Sequence, residues 1–137
     1  MSPRIDSLAS KPRVLLAEDD PEMRWLVAHA LRRDGYDVVE ARDGDELYRE
    51  ITTRILRHGD PNVDLIVTDV RMPGQSGLEI VELLRAVAVR VPLIVMTAFG
   101  DDEVRERAGA VGAVLLDKPF DLADLRAAAG LLVLALR

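Results

Sequence analysis

The chain has 137 residues, a formal net charge of −6, 49% hydrophobic and 31% charged residues, and no cysteine. That length suits one domain with a proper core, and the lack of cysteine excludes disulfides, thiolate metal sites and cysteine nucleophiles. The acidic balance argues against nucleic-acid binding through a basic face, and the longest apolar tract, Ala127 to Leu136, is far short of the about 18 residues of a membrane span.

Residues 1–12 are polar and lack the apolar core of a signal peptide, so they read as a loose tail on a cytoplasmic protein. One domain is expected over 13–137. Arg13 to Ala17 (RVLLA) is the first strand. Glu18-Asp19-Asp20-Pro21 then suits a helix start, with proline in the first turn and acids at the positive end. From Glu22 to Asp34, Met23, Leu26, Val27, Ala30 and Leu31 recur at helical spacing, and Gly35 stops the helix. Trp25 lies off that stripe, near the acids. Partial burial is expected for it; the sharper reading puts it in a surface docked by a partner. His29 and His58 show no metal spacing and are taken as structural.

Tyr36 to Ala41 is the second strand and Gly44 to Arg57 the second helix, with Leu47, Ile51, Ile55 and Leu56 inward; His58 to Pro61 is a turn. Val63 to Thr68 is a nearly continuous apolar run, the mark of a strand buried on both faces, and it leads straight into Asp69. Met72-Pro73-Gly74 and Gly77 break the chain before a helix from Leu78 to Val89, with Leu78, Val81, Leu83 and Leu84 as its apolar positions. Leu93 to Thr97 is the fourth strand, Asp102 to Ala110 a short helix, and Gly112 to Leu116 the fifth strand. Lys118-Pro119-Phe120 turns the chain, and Asp121 caps a last helix through Leu136, which consumes the rest of the chain. That helix is apolar on more than one face, so it is either buried or leaves an exposed apolar patch that pairs with a second copy or binds a partner.

Strands alternating with helices over short connections specify an α/β fold, a doubly wound parallel sheet with helices on both faces. In such a sheet the C-terminal strand ends share one rim, where ligand sites lie. Glu18 and Asp19, Asp69, Thr97 and Lys118 all fall at that rim. Clustered carboxylates need a cation or a shared proton, and a hard divalent ion such as Mg²⁺ suits them. A hydroxyl and an ammonium beside that ion can hold an anion. The set is suited to a carboxylate, a metal and a phosphoryl group together.

Glu18-Asp19, the DVRMPGQSG segment from Asp69, Thr97-Ala98 and Lys118-Pro119-Phe120 together resemble the receiver domain of two-component response regulators, of the single-domain chemotaxis-receiver type. The resemblance runs from about Arg13 to the C-terminus. It implies a flavodoxin-like strand order 2-1-3-4-5 and a phosphorylation-dependent signalling switch without an output domain of its own. Asp69 would be the phosphoacceptor, charged by a sensor histidine kinase or a phosphotransfer protein. Mg²⁺ would be held by Asp19, Asp69, the backbone carbonyl of Arg71 and, through water, Glu18. Thr97 and Lys118 would hold the phosphoryl oxygens, with a cis peptide at Lys118-Pro119. The output would be contact with an unknown downstream protein, or onward transfer as a relay intermediate.

Leu115 stands three residues before the lysine, where many relatives carry an aromatic switch residue, so the output step is expected to differ from theirs. Arg71 and Phe99 flank the site and are expected to tune the lifetime of the phosphorylated state. A Mg²⁺-dependent aspartyl phosphohydrolase is the alternative of another class. Such enzymes use a second acid two residues after the nucleophile, where this chain has Arg71. A flavin site is disfavoured because the acidic loop Glu18-Asp19-Asp20-Pro21 would repel a phosphate.

Overall fold

The computed structural model describes residues 11–56, 63–98 and 100–135. Most of the expected tail, the His58 to Pro61 turn, Phe99 and Leu136 lie outside the described residues. In chain order the elements are β1 (Arg13–Ala17), α1 (Pro21–Arg33), β2 (Asp37–Ala41), α2 (Gly44–Ile51), a π-helical turn (Thr52–Leu56), β3 (Leu65–Asp69), α3 (Gly77–Ala86), β4 (Leu93–Thr97), α4 (Asp102–Ala110), β5 (Val114–Asp117) and α5 (Leu122–Leu134). The strands form one parallel sheet in the order β2-β1-β3-β4-β5, as expected.

Every residue of β3 and β4 is buried, because helices cover both faces of a parallel sheet. Side chains alternate between the faces along each strand. Leu15, Ile66 and Val95 point to the side of α2, α3 and α4, where Leu47, Val81 and Val104 meet them. Leu16, Val67 and Ile94 point to the side of α1 and α5, against Leu31, Leu125 and Ala129.

Several boundaries move by one or two residues against expectation. β3 runs to Asp69, so the carboxylate ends the strand rather than following it, and β5 runs to Asp117. The second helix gives way at Thr52 to a π-helical turn. Three residues counted among the apolar positions of their helices are exposed: Leu26 at 40%, Leu56, expected inward, at 43%, and Leu83 at 47%. Ala28 is buried instead, which turns the inward face of α1 toward Val27, Ala28 and Leu31. Trp25 is 60% exposed, not partly buried, and its ring stacks on His29 with centroids 4.8 Å apart. Asp121 stands at the N-cap of α5 but makes no side-chain cap bond. On α5, Leu125, Ala129 and Val133 face the core while Leu131 and Leu134 are exposed.

Helix ends show how local chemistry sets the frame. Asp20 caps α1, its carboxylate accepting from the Glu22 N–H at 3.1 Å. Gly35 then takes φ 95° as the Tyr36 and Gly35 amides close back on Leu31 and Arg32, a Schellman ending. α3 ends through the same pair of bonds, from Val89 to Leu84 and from Ala88 to Arg85, but an alanine holds the left-handed position at φ 61°. Ala88→Gly should therefore raise stability by about 0.5–1 kcal/mol, the relief of left-handed strain exceeding glycine's added freedom in the unfolded chain. Urea unfolding checks this, and an unchanged or lower midpoint would contradict it.

Candidate functional site

The C-terminal ends of β1, β3, β4 and β5 meet at one rim, and the five side chains picked out from the sequence are there. Glu18, just past β1, is held by its own N–H donating to the Ala41 carbonyl at 3.1 Å and is fully buried. Its Oε2 accepts the Asp20 N–H at 3.1 Å. Asp69, at the end of β3, is 7% exposed. Its Oδ1 accepts the Arg71 N–H at 3.2 Å. The Lys118 ammonium donates to both acids, to Glu18 Oε1 at 2.5 Å and to Asp69 Oδ2 at 2.8 Å.

Thr97, the last residue of β4, is buried, and its carbonyl accepts the Lys118 N–H at 2.7 Å. That bond fastens the start of the lysine turn to the neighbouring strand end. The Lys118-Pro119 peptide is cis, as expected. Arg24 reaches back from α1 and donates to the Glu18 carbonyl at 2.9 Å.

Burial sets the direction for Glu18, and hydrogen bonds set it for Lys118. Burial pushes the Glu18 carboxyl up from 4.5 to about 7, with the nearby Asp69 adding to the rise and the Lys118 hydrogen bond opposing it. Burial pulls the Lys118 ammonium down, but its bonds to Asp69 and Glu18 outweigh that and hold it above the ordinary lysine value.

The carboxylates of Glu18, Asp19 and Asp69 present oxygens all within 4.8 Å of one another. Glu18 and Asp69 are buried while Asp19 is exposed, so an ion could enter from the solvent side. A donor set of oxygens alone, carrying more negative charge than one lysine balances, fits a hard divalent cation. A separate cavity of about 360 Å³ opens beside the rim, between the loop after β3 and the start of α4. Its lining includes Arg71, Ser76, Asp101 and Glu103 but none of Glu18, Asp19 or Lys118, so it is not the acid site.

Reasoning from the sequence missed two groups that shape this rim. Arg24 was hidden among ordinary helix arginines. Gly44 passed as a mere helix boundary, and a glycine at the first helical position is the signal that could have drawn notice.

Among the described residues no helix is long and apolar enough to cross a membrane. A family model for the response regulator receiver domain matches residues 14–130. Transcriptional regulatory protein PdtaR of Mycobacterium tuberculosis is 36% identical over 126 residues, covering 90% of this chain and 58% of that protein. Sporulation initiation phosphotransferase F of Bacillus subtilis is 26% identical over 115 residues, covering 83% of this chain and 87% of that protein. The chain spans about half the length of PdtaR and of several further curated relatives, between 48% and 58%. The solved receiver domain of Francisella response regulator 1452 superposes with a TM-score of 0.82 at 27% identity, covering 93% of this chain and 100% of that one. With the family match over most of its length and the acid rim in place, this chain belongs to the response regulator receiver domain family.

Proposed function

We propose that Asp69 accepts a phosphoryl group from the phosphohistidine of a sensor kinase or phosphotransfer protein in the cytoplasm, and that the domain then signals by contact with another protein. The observation that carries the reading is the Lys118 ammonium bridging the buried carboxylates of Glu18 and Asp69. A nucleophilic oxygen, a fixed cation and a surplus of acid are thereby gathered at one open rim.

In the transfer, a carboxylate oxygen of Asp69 forms the new P–O bond as the P–N bond to the donor imidazole breaks. The imidazole nitrogen keeps the electron pair and takes up a proton. The transition state is loose, with charge spread over the phosphoryl oxygens, so positioning and electrostatics supply most of the acceleration. Lys118 and Thr97 hold those oxygens. Glu18, Asp19, Asp69 and the Arg71 carbonyl would hold Mg²⁺, Glu18 through water, and the ion when bound would neutralise charge on the transferred group. Arg71 beside the acceptor leaves no second acid there to protonate a leaving group, which favours a stable phosphoprotein over hydrolytic turnover.

The test is intact-protein mass after incubation with a small phosphoramidate donor. With Mg²⁺ present one phosphoryl group per chain is expected, with no labelling when EDTA is added before the donor and none in Asp69→Asn. An adduct that survives in Asp69→Asn would refute the acceptor assignment, and continuous release of phosphate over many turnovers would favour a hydrolase.

A further inference from the structure

The loop that follows Asp69 is clamped from two sides. On one side the Gly77 N–H and the Ser76 hydroxyl both donate to the Val70 carbonyl, each at 3.1 Å. A Cβ at Gly77 would run into the Asp69 carbonyl. On the other side the start of α2 lies against residues 73–75. The Gly44 N–H donates to the Pro73 carbonyl at 3.0 Å. A Cβ added at Gly44 would overlap the Gln75 carbonyl oxygen and sit 2.6 Å from its carbonyl carbon. The Asp45 carboxylate in turn lies over Gly74, where an added Cβ would come within 2.7 Å of its Oδ1.

Gly44 is buried, and its φ is outside the left-handed region. Glycine is therefore required there for room and not for conformation. Backbone stands on both sides of the contact, so no flexible side chain can yield to an added methyl group.

Between the two clamps is Arg71, whose N–H holds Asp69 Oδ1 at 3.2 Å while Lys118 holds Oδ2 at 2.8 Å. Those bonds fix the rotation of the carboxylate. We infer that Gly44 is a positioning residue for Asp69: by letting α2 close on residues 73–75 it sets the Arg71 backbone, and through it the carboxylate orientation and the place of the Arg71 carbonyl. The inference rests on the proposed role of Asp69.

The experiment compares wild type, Gly44→Ala and Gly130→Ala. Gly130 lies within α5 with nothing within 4 Å of an added Cβ, so it controls for a helical glycine-to-alanine change alone. In Gly44→Ala the Arg71 amide resonance of the metal-free protein should shift, and Mg²⁺ affinity by calorimetry without donor should weaken about tenfold. Labelling of Asp69 at saturating Mg²⁺, per folded molecule, should slow by about 10²-fold. Gly130→Ala should leave all three at wild-type values.

A folded Gly44→Ala protein with an unshifted Arg71 amide and wild-type Mg²⁺ affinity would overturn the inference, however much its melting temperature fell. Should Gly44→Ala not fold, Asp45→Ala carries the test, since that exposed side chain supplies the other half of the α2 contact. A shifted Arg71 amide with weaker Mg²⁺ binding supports the clamp, and neither change overturns it. If wild type itself neither binds Mg²⁺ nor labels, the acceptor reading fails, a result distinct from any difference between variants.

Discussion

Lys118→Met is expected to lower the stability of the metal-free protein by about 2–4 kcal/mol at pH 8. Removing one partner of a buried ion pair leaves an uncompensated charge, which costs about 3–5 kcal/mol when burial is complete. The Lys118 side chain is 17% exposed, so solvent reduces that figure. Methionine keeps the packing of the lysine stem, so the change reports mainly on charge. The loss should shrink as pH falls toward 5, because Glu18 already holds its proton unusually tightly and takes it up when the ammonium is gone. Millimolar Mg²⁺ should restore part of the stability by binding only the folded state. Urea unfolding at pH 5 and 8, with EDTA or Mg²⁺, measures all of this. A variant as stable as wild type at pH 8 in EDTA would remove Lys118 as the counter-ion of the rim. Phosphorylation should fall as well, by about 10²–10³-fold, the usual cost of losing one donor to the charge that develops in a transition state.

Glu18→Gln is expected to act in the opposite direction on stability. The Glu18 carboxyl is raised from 4.5 in the unfolded chain to about 7 in the folded protein, chiefly by burial. Between those values the folded state keeps a proton that the unfolded chain has released. The stabilisation from this group is complete below pH 4.5 and is lost as pH rises through 7. Linkage makes that loss about 2–3 kcal/mol after a discount for relaxation around the site. The shift already includes the attraction to Lys118, so a neutral glutamine, standing in for the protonated acid, should avoid the loss.

In EDTA, wild type should therefore weaken from pH 5 to pH 8 while Glu18→Gln stays nearly level and is the more stable protein at pH 8. Asp34, Glu46 and Glu82 do not confuse the comparison. Hydrogen bonds from Arg126, Arg42 and Arg107 hold their carboxyls below the usual range, so they titrate under this window. Parallel pH profiles for the two proteins would show that Glu18 is not the titrating group. In Mg²⁺ the order should reverse, since the ionised acid that burdens the metal-free protein in EDTA would draw the cation. On this reading the domain holds its acids at a cost in stability that a bound cation would recover.

The rim was legible in the sequence because each of its residues follows an apolar run. Once helices alternate with those runs, the strands are parallel, and Glu18, Asp69, Thr97 and Lys118 must arrive at one edge. The strand order came from the family resemblance and not from the alternation, while in the folded chain the period of two sends Leu15 and Leu16 to opposite sides. The exposed faces of helices did not follow. Spacing marks which residues share a stripe, but only the neighbouring elements decide where cover stops, and they leave Leu26, Leu83 and Trp25 outside it.

By itself, then, the sequence determined the fold class, the sheet direction and the chemical groups at the strand ends, because these depend on local periodicity and on turn residues. The tertiary structure alone decided how those groups act on one another. Lys118 reaches Glu18 across a sequence separation of 100 residues and Asp69 across 49, and the raised carboxyl of Glu18 comes from burial by elements far along the chain. The same holds for Gly44, whose value lies in the backbone of Gln75 that packs against it, and for Ala88, whose left-handed strain is set by the closing bonds of α3. Charge, burial and close approach depend on what stands next to a residue in space, and no local pattern encodes that.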